Sequence, residues 1–203
     1  MHSLRVVLFD IGGVLVEPSG VNTMLAWMGN RISAEELWRL WLTSPVVRAF
    51  ETGKMTPDAF ADRVIADFDL PVPRDEFLRQ MALWSITLFP GALELVERVP
   101  ARYVRATLCN TNPIHWPYLM NNERLAHAFT HHFASHLTGK IKPDEDAFHH
   151  VVDTLACTPQ EVLFLDDNDL NVAGARAAGM NAVRVQGIAE AERALQSFGV
   201  FEA

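Results

Sequence analysis

Four short, mainly apolar runs constrain this chain more than anything else in it. Leu4–Phe9 runs into Asp10, Val104–Leu108 into Cys109 and Asn110, Val162–Leu165 into Asp166 and Asp167, and Ala182–Val185 is the fourth. A strand with one wet face alternates apolar and polar residues. A mainly apolar run of strand length, without that alternation, reads instead as a strand buried on both faces, as in a parallel sheet covered by helices. Helical patterns separate the runs at Pro90–Val99, Asp144–Leu155 and Leu170–Ala178. This alternation predicts an α/β fold, a Rossmann-like three-layer parallel sheet of about five strands.

Between the first two runs lies a long segment, Pro18 to Leu88, that is helical in pattern and holds no convincing strand. Thr56 or Pro57 starts one helix, with Phe60, Val64, Ile65 and Phe68 on a single face. Trp38, Trp41, Phe50, Phe77, Met81 and Trp84 fill further apolar stripes. We therefore read residues 1–17 and 89–203 as the core and 18–88 as an inserted helical cap. Leaving from the carboxyl end of the first strand, it would sit over the mouth of the sheet.

With 203 residues, 49% of them hydrophobic, the chain can bury a substantial core. Its net charge of −8 argues against a nucleic-acid or membrane-surface partner. An anionic small molecule would have to be attracted locally, by a metal or a few placed cations. Cys109 and Cys157 match no zinc spacing and no disulfide framework, which fits a reducing cytoplasm. His2 and Arg5 before an apolar run faintly suggest a secretion leader. Asp10 interrupts that run and no small-residue cleavage site follows, so it is read as a strand. No stretch approaches the length of a membrane span.

In open parallel sheets, ligands sit beyond the carboxyl ends of the strands. Those ends carry Asp10, Cys109–Asn110 and Asp166–Asp167. Carboxylates from two strands can share one magnesium ion, which takes few carboxylates plus water and phosphate oxygens. A carboxylate can also attack phosphorus to give an aspartyl-phosphate that water hydrolyses. Each residue has a plainer reading as well: Asp10 as a turn cap, Asp166 or Asp167 as a helix cap, Lys142 as a solvated surface lysine. Cys109 as a nucleophile is disfavoured, because Asn110-Thr111-Asn112-Pro113-Ile114-His115-Trp116 offers no arginine to activate it. His127, His131, His132 and His136 have partly helical spacing, but no carboxylate or cysteine joins them at ligand spacing. His115 and Trp116 either line the site's entrance or pack within a loop.

Four segments in order resemble the motifs of the haloacid-dehalogenase-like (HAD) superfamily. They are Phe9-Asp10-Ile11-Gly12-Gly13-Val14-Leu15, Leu108-Cys109-Asn110-Thr111-Asn112, Gly139-Lys140-Ile141-Lys142-Pro143, and Leu165-Asp166-Asp167-Asn168 with Asn171. The first is most similar to that of small bacterial sugar-phosphate phosphatases, among them alpha-D-glucose-1-phosphate phosphatase. The resemblance implies a magnesium-dependent phosphatase acting on a small phosphate ester. It makes Asp10 nucleophile and metal ligand, with the Gly12 carbonyl and Asp167 as further ligands and Asp166 as a ligand or its neighbour. Cys109 and Asn110 would contact the phosphoryl group, and Lys142 would offset its charge. The cap would close over the substrate. On it, Trp41, Trp84 and above all Arg48 and Glu51 are candidates for reading the substrate.

Two residues depart from the pattern. Most phosphatases of the superfamily carry a general-acid Asp where Gly12 stands, and such help is worth ~10²–10⁴ in rate. Gly12 therefore suits an activated leaving group, such as a sugar-1-phosphate or an acyl phosphate, with Glu17 as one substitute donor. Cys109 replaces the usual Ser or Thr, and a thiol is the weaker donor. The competing readings are a dehalogenase, in which Asp10 attacks a halogen-bearing carbon without metal, and a non-catalytic binding module with a degraded site. The dehalogenases' characteristic tyrosine is absent, since Gly12 holds its place. A receiver domain would carry its acidic pair on the first strand and leave the cap unexplained.

Overall fold

The computed structural model describes residues 3–84 and 86–201. At its centre is a five-stranded sheet in the order β3-β2-β1-β4-β5. The strands are β1 (Val6–Phe9), β2 (Val104–Cys109), β3 (His131–Ala134), β4 (Val162–Asp166) and β5 (Asn181–Arg184), paired in parallel throughout. β1 occupies the middle, and each of its residues is at most 1% exposed. The unbroken apolar run and the double-sided burial are thus one fact.

Five helices follow β1: α1 (Gly20–Trp27), α2 (Ala34–Thr43), α3 (Pro45–Glu51), α4 (Pro57–Phe68) and α5 (Arg74–Met81). The rest of the chain supplies α6 (Ala92–Arg98), α7 (His115–Met120), α8 (Glu123–Ala128), α9 (Ser135–Thr138), α10 (Glu145–Thr154), α11 (Asp169–Ala177) and α12 (Gly187–Ser197). Side chains alternate across a strand, so each strand feeds two layers. Val7, Phe9, Leu163 and Leu165 pack with α6, α7, α8 and α12. Val6, Leu8, Val162 and Phe164 pack with α10 and α11. This is the expected three-layer architecture with an inserted helical cap.

The cap helices bury a cluster of their own. Thr56 caps α4 by accepting from the Ala59 N–H, and Pro57 occupies the first helical position, where a missing N–H costs nothing. Phe60 and Val64 are buried, and Phe60 stacks on Phe50 with ring centroids 4.0 Å apart. Phe77, Met81 and Trp84 complete the interior. Trp38 departs from the expectation and is 41% exposed. α2 turns Leu37 inward, and the next residue is carried about 100° round the helix, toward solvent. The chain segments leading into and out of the five helices are paired: the Glu17 N–H donates to Thr87 O (2.9 Å) and the Phe89 N–H to Leu15 O (2.8 Å). Among the described residues no helix is long and apolar enough to cross a membrane.

Candidate active site

The register of the sheet assembles the site. Phe9 pairs with Thr107 on one side and Leu165 on the other, so Asp10 stands level with Asp166 and β2 runs on to Cys109, one residue further out. Asp10, Cys109 and Asp166 therefore emerge at the same end of the sheet, and the Asp10 N–H is fixed to Leu165 O at 2.8 Å. Asp10, Asp166 and Asp167 bring one carboxylate oxygen each to within 4.8 Å of one another.

Lys142 stands between two of these carboxylates, with Nζ 2.9 Å from Asp10 Oδ1 and 2.7 Å from Asp166 Oδ2. The ammonium also lies 5.3 Å from the centroid of the Phe164 ring. Its surface-lysine reading fails, because the residue is only 3% exposed. Asn110 puts it there. The Asn110 Oδ1 accepts from the Lys142 N–H and the Asn110 Nδ2 donates to Lys142 O, both at 2.9 Å. The Asn110 carboxamide is thus spent chiefly on aiming the lysine.

Asp166 is saturated. Besides Lys142 it accepts from the Asn168 N–H (2.8 Å) and from Asn171 Nδ2 (3.1 Å to each oxygen). Asp167 carries no such set and is half-buried. Gly13 makes room for it: at φ +67°, a methyl at Gly13 would overlap the Asp167 carboxylate. Gly12 is different, since a methyl there would meet nothing within 4 Å. This space-making role of Gly13 escapes sequence reasoning, as does the grip of Asn171 on Asp166; the Gly-Gly pair was the available signal.

The electrostatics follow from burial. Desolvation, opposed by Lys142 and reinforced by Asp166 and Asp167, pushes the Asp10 carboxyl up to about 7. Desolvation and then Asp166 push Asp167 up to about 6. Burial alone would lower Lys142, but Asp10 and Asp166 override it and hold the ammonium above its ordinary range. Desolvation, with Asp10 beside it, likewise holds the Cys109 thiol well above its usual value, which disfavours the thiolate a nucleophile would need. Three carboxylates thus face one ammonium. Two excess negative charges and hard oxygen donors suit a small divalent cation. With Asp166 saturated, Asp10 and Asp167 are the side chains free to hold it, and the Gly12 carbonyl on the adjoining turn is the main-chain candidate.

The structure separates the cap candidates. Arg48 is exposed and paired with Asp144, with Nη1 3.3 Å from Oδ1. Glu51, one turn on, is half-buried. Desolvation, against the pull of Lys142, pushes its carboxyl up to about 7. Trp41 packs edge-on against Phe60 and Trp84 is 7% exposed, so both belong to the cap interior. Glu17 is exposed on the paired connection. His115 bridges the two halves: its Nε2 lies 2.7 Å from Met81 O on α5 and its Nδ1 3.2 Å from Asn112 Nδ2. Trp116 packs against the rings of His132 and His136. Among the described residues the histidines join no three-ligand cluster.

Comparison with known proteins agrees with this geometry. The chain is 29% identical over 193 residues to (S)-2-haloacid dehalogenase of Xanthobacter autotrophicus, covering 90% of this chain and 75% of that protein. It is 24% identical over 188 residues to phosphoglycolate phosphatase of Pseudomonas putida, covering 88% and 68%. A HAD family enzyme of Bacteroides thetaiotaomicron, solved with magnesium and inorganic phosphate, superposes with a TM-score of 0.72 at 22% identity, covering 91% of this chain and 95% of that one. The family profile described as haloacid dehalogenase-like hydrolase matches residues 4–179, and the chain belongs to that family.

Proposed function

We propose that this hydrolase is a magnesium-dependent phosphatase that cleaves a small phosphate ester, with sugar phosphates as the favoured class, through an aspartyl-phosphate on Asp10. The observation that carries the reading is the charge of the buried cluster: Asp10, Asp166 and Asp167 against Lys142 alone. A dianionic phosphate would not approach such a cluster without a cation. Asp10, Asp167 and the Gly12 carbonyl would hold magnesium, which when bound neutralises phosphate charge beside the nucleophile. Asp10 then attacks phosphorus, and water hydrolyses the resulting acyl phosphate. Lys142 offsets the charge of the nucleophile and the transferring group, while Asp166 and Asn110 keep it aimed. Cys109 lines the phosphoryl site.

In this reading residues 18–88 act as the mobile cap on a core of 1–17 and 89–203. The nearly complete burial of Asp10 and Lys142 supports such a role, because substrate reaches them only if a covering segment moves. Cys109 and Cys157 are free thiols, as suits a reducing cytoplasm. The relation to a haloacid dehalogenase favours a second reading, carbon–halogen cleavage by Asp10. One experiment separates the two: phosphate release from a panel of sugar phosphates and one aryl phosphate, with and without magnesium, for wild type and Asp10→Asn. Magnesium-dependent release that vanishes in the variant supports the phosphatase. No release from a folded protein that binds magnesium overturns it, and a haloacid panel then tests the second reading.

A further inference from the structure

Breaking a phosphorus–oxygen bond to an alkoxide leaves a strong base that needs a proton as it departs. Gly12 has no side chain to give one. The other groups around Asp10 are committed: Lys142 is locked between two carboxylates, and Asp166 accepts from three residues. The Cys109 thiol is buried and directed at Asn110 O, 3.6 Å away. His115 has both ring nitrogens engaged and Glu17 is exposed.

Glu51 remains. It ends α3, the cap helix that packs against α9 of the core. The docking there is close. Gly53 (φ +72°) lies so tightly on the His136 carbonyl that a methyl would overlap it, Thr52 is buried, and Arg48 grips Asp144 just beyond Lys142 and Pro143. The half-buried Glu51 carboxyl consequently sits where the charge of Lys142 reaches it, and where its own charge would reach the Cys109 thiol. Of the other ionisable groups at this contact, Arg48 is turned to Asp144, Lys54 is exposed, and His136 packs its ring on Trp116. No hydrogen bond or ion pair within the described structure engages the Glu51 carboxyl.

We infer that Glu51, delivered by the closed cap, is the general acid and base of the reaction proposed above, serving the leaving oxygen that Gly12 cannot. The inference rests on that phosphatase reading. In the first half, an Asp10 oxygen bonds to phosphorus, the ester oxygen leaves, and the Glu51 proton passes to it to give the alcohol. In the second, the Glu51 carboxylate takes a proton from water as its oxygen attacks phosphorus. The bond to Asp10 then breaks, and phosphate and the Asp10 carboxylate are restored. Burial of the carboxyl near 7 keeps a usable protonated fraction at neutral pH. The restriction to activated leaving groups suggested by Gly12 is thereby lifted.

The test compares Glu51→Gln with wild type on glycerol phosphate and nitrophenyl phosphate. The readout is kcat/KM, which ends at release of the alcohol, across a pH series with magnesium present. The expected loss is ~10²–10⁴-fold for the alkyl ester. For the aryl ester, whose leaving group needs little protonation, it is less than about tenfold. The fall in wild-type alkyl kcat/KM as pH rises through the Glu51 range should also vanish in the variant. Equal losses on both esters, or none, overturn the inference, and equal losses would mark Glu51 as structural or substrate-binding. A melting temperature and magnesium titration matching wild type establish that the variant is folded. If it does not fold, Glu51→Asp replaces it, with the same leaving-group contrast required. Absence of phosphate release in the wild type would instead refute the phosphatase reading itself.

Discussion

Gly13→Ala tests the link between the loop after β1 and the metal ligands. Gly13 sits at φ +67°, where a Cβ costs about 1–2 kcal/mol of backbone strain. In a chain of this length, each kcal/mol shifts the midpoint by about 2–4 °C, so melting should fall by roughly 2–8 °C. The second effect is local. The new methyl would occupy the position of the Asp167 carboxylate, a short side chain that can swing away without unfolding anything. Loss of an outer-shell partner typically weakens a metal site 10–100-fold. Displacing a carboxylate ligand should cost at least about that, or roughly 1.4–2.8 kcal/mol of binding. Gly29→Ala is the control, since Gly29 has φ +64° and open space around its Cβ position. Both variants should lose similar stability, and only Gly13→Ala should lose magnesium affinity in calorimetric titration, with phosphatase activity falling in parallel. Equal magnesium affinities for the two variants would refute the assignment of Asp167 to the metal.

The ionisation of the site predicts a reversal of the usual acid sensitivity. Asp10, Asp167 and Glu51 hold protons in the folded chain that the unfolded chain has already released. Without metal, the contribution of these three groups to stability should therefore decline as pH rises from about 4 to about 7. Magnesium should raise the melting temperature more at about pH 8 than at about pH 5.5, because fewer protons then compete for Asp10 and Asp167; equal shifts would contradict this. Cys109→Ser should keep or improve phosphate release, since a hydroxyl is the better donor, and a large loss would contradict it. The Cys109 thiol should also resist alkylation at neutral pH in the folded protein, as measured by mass spectrometry against the unfolded chain.

The central strands and the site's main residues were legible because both obey local rules. β1 and β4 are apolar without interruption, as double-sided burial demands, and their carboxyl ends display Asp10 and Asp166. β3 was not legible. His131 and His132 break the apolar signal at the sheet's edge, where one flank is unpaired. His132 is accommodated by Ala126 O at 3.0 Å and by Thr107 Oγ1 at 3.0 Å, the latter 25 positions away. The bonds of Asn110 were hidden for a similar reason: its place beside Cys109 suggested a phosphate contact, and its further partner is the backbone of a residue 32 positions away. Likewise, Arg48 and Glu51 are neighbours on one short helix, and only the packing of α3 against the core reveals that one meets Asp144 while the other is half-buried within the field of Lys142.

These long-range contacts share a physical theme. A buried cluster with three carboxylates and one ammonium is a poor choice for stability, since each desolvated ion costs several kcal/mol and Lys142 compensates only in part. The chain nevertheless surrounds it with fixed donors: Asn171 and the Asn168 N–H on Asp166, and the Asn110 carboxamide on the Lys142 backbone. Those bonds leave the repulsion in place and stop the side chains from rotating away to relieve it. The unrelieved charge is concentrated on Asp10 and Asp167, the two carboxyls most raised in the core and the two with open coordination. Closing α3 over them adds Glu51, a further carboxyl that fits most easily when it carries a proton. A cation on the core and a proton on the cap thus relieve the same excess charge from opposite sides. Both would be in place for an anionic ester whose bond is broken by Asp10 and whose leaving oxygen takes that proton.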